Sequence, residues 1–145
     1  EAVIQTNLVS AFLMLKLVGK AMLRNGTGRM VFTSSVAGSY GLTNHEAISA
    51  AKGGLEAMVR SAASTYAQRG IRVNAVAPGL TETRLGASVL RSDAIREASV
   101  GMIPLKRINE PDEVAQSMFW LLTNAPDNIT GQIIHLDGGM SNLRG

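Results

Sequence analysis

The sequence predicts an α/β fold in which parallel strands are joined by helical crossovers. Three short apolar runs, at residues 30–33, 71–77 and 131–137, alternate with amphipathic segments of helical length. Runs this short, bounded by glycine, proline or asparagine, read as buried strands, while apolar residues recurring every three or four positions read as helices. Alternation of the two implies parallel strands with right-handed crossovers. Parallel strands need cover on both faces, so helices are expected on each side of the sheet.

Residues 2–24 read as the first helix, with Ile4, Leu8, Phe12, Leu15, Val18 and Met22 at helical spacing. Asn25-Gly26-Thr27-Gly28 stops it and leads into the first strand, 30–33. A second helix over 45–69 carries Ile48, Leu55, Met58, Ala62 and Tyr66, and Gly70 suits its C-terminal cap. The strand 71–77 follows and closes on Pro78 and Gly79. Residues 80–108 are mixed and richer in charge, which suggests a mobile helical excursion. Pro111 fits the first turn of another helix, with Asp112 and Glu113 suited to its positive end and Val114, Met118, Phe119 and Leu122 forming its apolar face. The last strand, 131–137, runs into Gly138 and Gly139. No repeat or low-complexity segment is visible.

At 145 residues the chain has mass for one domain with a core, and 46% hydrophobic against 17% charged residues describes a globular protein. A net charge of +3 with scattered Lys and Arg gives no basis for a nucleic-acid partner. Without cysteine there is neither a disulfide framework nor a thiolate metal site, and no metal site is expected; a reducing cytoplasm is favoured. Lys16, Lys20 and Gln116 interrupt the longest apolar stretches, so no membrane span is expected, and no secretory signal is visible.

Chemistry concentrates where the first strand ends. Ser34 and Ser35 close that strand, and Lys52-Gly53-Gly54 follows on the second helix. Ala50, Ala51, Gly53 and Gly54 suggest that Lys52 is closely packed. Of the two serines, Ser34 is expected to satisfy local backbone. The turn Gly26-Thr27-Gly28 follows a helix and lacks the third glycine of a phosphate-binding loop, so it reads as a plain turn.

From residue 1 to about residue 142 the chain resembles the second half of a short-chain dehydrogenase/reductase. Five features carry this: Asn7 within Thr6-Asn7-Leu8; Gly28-Arg29-Met30-Val31 leading into Ser34-Ser35; Lys52-Gly53-Gly54; Arg72-Val73-Asn74-Ala75-Val76-Ala77-Pro78-Gly79; and Thr130-Gly131-Gln132 followed by Asp137-Gly138-Gly139. Their texture is similar to that of the family's carrier-protein ketoacyl reductases and its sugar or alcohol dehydrogenases. The resemblance implies the C-terminal portion of one dinucleotide-binding domain over residues 1–145: a Rossmann-type, doubly wound parallel sheet with three strands visible. The family's glycine-rich N-terminal half is not in this sequence. On that basis residues 1–145 alone are expected not to fold stably, because strand 30–33 would lie beside a strand of the other half.

The resemblance also assigns tasks. It implies hydride transfer between NAD or NADP and a small-molecule carbonyl or alcohol. Ser35 would orient the substrate oxygen, Lys52 would hold the nicotinamide ribose, and Asn7 would support a water-linked proton path. Pro78 and Gly79 would approach the nicotinamide end, with Thr81 and Thr83 contacting the carboxamide or phosphates. Bland readings stand beside these: Asn7 bonding nearby backbone, Thr81 and Thr83 as loop polarity. The family's proton-donating tyrosine is replaced here by Ile48, four residues before Lys52. His45 is the substitute of interest, at helical spacing from Ile48 and Lys52; helix capping or substrate contact are its other readings. Tyr40 is a weaker substitute, and Tyr66 and His135 read as structural. Against an enzyme with an atypical donor stand a noncatalytic nucleotide-binding or assembly member and an inactive fragment. Family practice implies a homodimer or homotetramer through helices 2–24 and 45–69, which carry Met14, Val18, Met58, Val59 and Ala63 around more than one face.

Overall fold

The computed structural model of the chain describes residues 1–143. Helix α1 spans Ala2–Asn25, with a π-helical segment at Gln5–Val9. Gly26, at φ 72°, caps it by donating its N–H to the Met22 carbonyl. Strand β1 (Gly28–Thr33) begins two residues before the apolar run, because a ladder needs only backbone groups and Gly28 and Arg29 already pair with Ile71 and Arg72. Helix α2 (Glu46–Tyr66) tightens into a 3₁₀ turn, Ala67–Arg69, before Gly70. Gly70 is required twice over: its φ is +71°, and a Cβ there would stand 2.7 Å from the Gly26 carbonyl oxygen. Strand β2 (Ile71–Pro78) is followed by α3 (Arg84–Val89), α4 (Asp93–Gly101), α5 (Pro111–Thr123) and strand β3 (Ile133–Leu136).

The sheet is parallel with order β1-β2-β3, as the alternation predicts. Helices cover both faces. Leu15 of α1 and Leu55, Val59 and Ala62 of α2 pack on Met30, Ile71 and Val73. Leu121 of α5 and Ala125 pack on Val76 from the other side, with Val31, Met118 and Leu136 around them. Truncating a fully buried side chain such as Leu55 to alanine should cost about 2–5 kcal/mol. Asn74, buried in the central strand, donates to Ile129 O (3.1 Å) and accepts from Gln132 N (2.9 Å), which fixes the entry to β3. That strand is shorter than residues 131–137, since Gly131 is left-handed and the Asp137 carboxylate turns to bond Gly139 N and Ser141 N, each at 2.9 Å.

Residues 80–108 hold two short helices capped by hydroxyls, Thr83 accepting from Gly86 N at 3.0 Å and Ser92 from Ile95 N at 3.3 Å. A Glu82–Arg96 ion pair of 2.6 Å ties α4 to the segment after β2. Two expectations change. Val59 and Ala63 do not face outward: both are buried against the sheet, because α2 turns that stripe inward. Among the described residues, α2 exposes no large apolar side chain, whereas α1 exposes Phe12, Leu13, Met14 and Leu17. Secondly, despite Lys16 and Lys20, α1 is long and apolar enough to cross a membrane by length and composition alone. In the structure it packs on the sheet through Leu15, and Gly19 is buried beneath Tyr66 of α2.

Candidate functional site

Ser35, Lys52, Pro78 and Gly79 lie at the carboxyl ends of β1 and β2, where open α/β sheets present ligand crevices. β1 ends at Thr33, and Ser34 N continues the contact by donating to Val76 O at 2.7 Å. Lys52 reaches across from α2 and donates from Nζ to Thr33 O at 2.7 Å, so it is packed against the strand end as its glycine and alanine neighbours suggest. Burial pushes the Lys52 ammonium below its ordinary value of 10.5, because a less polar surround disfavours charge. Ile48, half-buried, lies one turn before Lys52 on the same helix face.

Of the two serines, Ser34 was expected to satisfy local backbone, and its hydroxyl does not. Ser35 is the one that meets local backbone: its Oγ accepts from Ala37 N at 3.2 Å and caps the single 3₁₀ turn Val36–Gly38. Ser34 Oγ instead donates to Glu56 Oε1 at 2.7 Å, with both residues buried. The extended conformation of Ser35 (φ −161°, ψ 155°) makes its side chain an N-cap, and sequence alone does not separate neighbouring serines by that criterion.

The other candidates divide. Asn7 lies in the π-helical segment and donates from Nδ2 to Val3 O at 3.0 Å, the local backbone bond. That segment packs on α2, with Leu8 so close to Gly54 that a Cβ there would stand 3.0 Å from it. His45 is outside α2, at φ −119° and ψ 18°, so the shared helical face with Ile48 and Lys52 does not include it. It is the N-cap residue, its carbonyl accepting from Ser49 N at 2.8 Å, but its side chain makes no cap bond: Nδ1 meets the Thr43 carbonyl at 2.8 Å. A carbonyl only accepts, so Nδ1 carries the proton of that bond, and in the neutral ring Nε2 is left as an acceptor. Gly79 N donates to Leu136 O at 2.8 Å, and its lack of a Cβ lets β2 close on Asp137, whose Cα a Cβ would meet at 3.0 Å. The hydroxyl of Thr81 donates to Gly79 O at 3.0 Å and that of Thr83 caps α3, so both side chains serve their own loop. Tyr66 packs on Gly19 as a structural residue. His135 bonds Ser39 Oγ through Nε2 at 2.9 Å, joining β3 to the turn after Ser35.

Two features escaped the sequence reading. Glu56 follows Lys52 by four positions and precedes Val59 by three, so it falls in the inward stripe of α2; an acid on an apolar stripe was the available signal. Beside β3 lies a depression of about 310 Å³, lined by Arg107, Asn109, Glu113, His135 and Asp137 among others. Its polar residues come from two separate stretches, 107–113 and 135–137, and carry no shared spacing. Within it Arg107 and Glu113 form an ion pair, and the guanidinium with the Glu110 N–H holds the Glu113 carboxyl down at about 2.

Comparison with known proteins bears on the family and the fold. A family model described as enoyl-(acyl carrier protein) reductase matches residues 1–141. The 3-oxoacyl-[acyl-carrier-protein] reductase FabG of Thermotoga maritima is 38% identical over 140 residues, covering 97% of this chain and 56% of that protein. A gluconate 5-dehydrogenase from Burkholderia cenocepacia J2315, solved in complex with NADP and tartrate, superposes with a TM-score of 0.91 at 25% identity, over 95% of this chain and 54% of that one. An NAD⁺-bound xylitol dehydrogenase gives a TM-score of 0.88 at 28% identity, over 94% and 58%. The chain thus spans about half the length of the curated relatives it matches.

Proposed function

The chain belongs to the short-chain dehydrogenase/reductase family, and on that footing we propose that its protein is an oxidoreductase moving hydride between NAD or NADP and a small-molecule carbonyl or alcohol. One observation carries the reading: Lys52 Nζ is fixed to Thr33 O at the end of β1, two residues before Ser35, which heads the next turn. The nicotinamide, when bound, supplies the hydride. Lys52 spends one donor on Thr33 O and offers its remaining N–H groups to a ribose hydroxyl. Pro78 and Gly79 bring backbone beside the same end of the sheet, and Thr81 and Thr83 are left to act through backbone. These residues suit the nicotinamide end of a dinucleotide; the resemblance places the pyrophosphate turn in a glycine-rich half, and β1 has no neighbour on its outer side among the described residues to which such a half would join.

Ser35 orients the substrate oxygen, and the proton needs a carrier other than Ile48. We assign it to His45, with Asn7 in support through water. With Nδ1 held by Thr43 O, a neutral His45 accepts at Nε2, which suits removal of the alcohol proton in the oxidative direction. In reduction the imidazolium form donates. A second reading, nucleotide binding without turnover, is favoured by Ile48 alone. Calorimetry with NADPH and with NADH, followed by turnover of an acetoacetyl thioester with the reduced cofactors and of gluconate with NADP⁺ and NAD⁺, separates the two. Binding with turnover is the expected result; binding without it would establish the second reading, and no binding would remove both.

A cytoplasmic location agrees with the cysteine-free composition. For assembly, the exposed apolar face of α1 supports pairing of two copies through α1, with α2 contributing little apolar surface. Leu17, 69% exposed, is the sharpest probe. Leu17→Lys should shift the protein toward monomer in light scattering at micromolar concentration while leaving its unfolding temperature nearly unchanged. A strict monomer in the parent would end the assembly reading.

A further inference from the structure

We infer that Glu56 is a positioning residue that fixes Ser34 and, through it, the turn that aims Ser35. The inference rests on the proposed role of Ser35. Three α2 side-chain positions meet the strand-end segment. Lys52 donates to Thr33 O, Gly53 lies under the Gly38 carbonyl so closely that a Cβ would stand 3.2 Å from it, and Glu56 receives the Ser34 hydroxyl at 2.7 Å. Glu56 is 5% exposed and Ser34 3% exposed. A carboxyl group is among the costliest side chains to bury and is rarely found inside unless paired. Leucine or alanine would fill this point of the apolar stripe without that cost, so the acid is there for the bond it makes.

The bond reaches the reacting segment directly. Ser34 is held at both ends, its N–H by Val76 O and its hydroxyl by Glu56. The turn then closes over the carboxyl: a Cβ on Gly38 would lie 2.5 Å from Glu56 Oε1 and 3.0 Å from Ser34 Oγ. Ser35 lies between these two fixed points. Its Oγ takes the Ala37 N–H, which leaves its own proton uncommitted to that bond. Release of Ser34 would let the turn and the Ser35 hydroxyl shift together, and misplacement by about 1 Å can cost on the order of a hundredfold in rate.

The test uses the complete protein, with NADPH and an acetoacetyl thioester as probes. Ser34→Ala and Glu56→Leu should each lower kcat by about tenfold to a hundredfold, while NADPH affinity stays within about threefold. Glu56→Gln keeps an acceptor oxygen and should recover most of the loss. The double variant Ser34→Ala with Glu56→Leu should be no worse than the weaker single, because both break one bond. Unchanged kcat in Ser34→Ala, additive losses, or loss of NADPH affinity in step with kcat would each overturn the inference. Should Glu56→Leu fail to fold, the comparison of Ser34→Ala with Glu56→Gln decides in the same terms. A parent that binds NADPH and turns nothing over would overturn the enzymatic reading and this inference with it; an active parent with equally active variants would overturn the inference alone.

Discussion

Tyrosine at position 48 is expected to raise turnover about a hundredfold and to make it independent of His45. A positioned general acid is worth roughly 10²–10⁴ in rate, and Ile48 supplies none. Position 48 lies one helical turn from Lys52, on the same face, where the ammonium would favour a phenolate and so ease proton transfer. His45 starts from a poorer place, outside the helix and with Nδ1 committed to Thr43 O. In the parent, His45→Ala should cut kcat by about two orders of magnitude. In the Ile48→Tyr background the same change should cost little. Steady-state kinetics of the four proteins give the answer. Unchanged turnover in His45→Ala would leave Tyr40 or water as the donor. No gain in Ile48→Tyr, with cofactor affinity intact, would mean that the site does no proton chemistry at this position.

Much of the fold was legible because its signals are local. The apolar runs gave the strands, and their alternation with helical spacing gave a parallel sheet covered on both faces. Gly70 and Pro111 marked a helix end and a helix start for backbone reasons that act within a few residues. The site was legible only as a set of positions. Which serine meets backbone depends on ψ at the strand end, and the sequence offers two adjacent hydroxyls with nothing to choose between them. His45 illustrates the same limit: helical spacing put it on a face with Lys52, yet Asn44 adopts φ 61° and the chain enters the helix one residue later. The inward turn of Val59 and Ala63 was hidden for another reason. α2 is apolar on most sides, so periodicity alone does not select the buried stripe, and contact with β2 does. Glu56 was visible as an anomaly on that stripe, but its partner Ser34 is 22 residues away.

Lys52→Met is expected to weaken NADPH binding roughly ten- to a hundredfold while leaving the apoprotein as stable as the parent or more so. The two halves of this expectation have one cause. Nζ is placed at the end of β1 by its bond to Thr33 O, in surroundings that disfavour its charge. A lysine whose folded pKa is lowered holds its proton less well folded than unfolded. Between that lowered value and about 10.5 the unfolded chain therefore binds more protons, and stability rises with pH across this window. Below the window the ammonium is a net burden on folding, offset in part by its bond to the strand end. Methionine keeps the aliphatic stem and removes that burden. The ribose hydroxyls of the cofactor lose a charged donor, and a charge-assisted bond in a partly dry site is worth about 1.5–3 kcal/mol, or roughly ten- to a hundredfold in affinity. Ile48→Ala, which removes no donor, should leave NADPH affinity nearly unchanged. Calorimetric titration of the three proteins, with thermal unfolding of each between neutral and alkaline pH, separates the effects. The parent should gain stability toward alkaline pH where Lys52→Met does not. Equal NADPH affinity in parent and Lys52→Met would show that the lysine holds the strand end and nothing more.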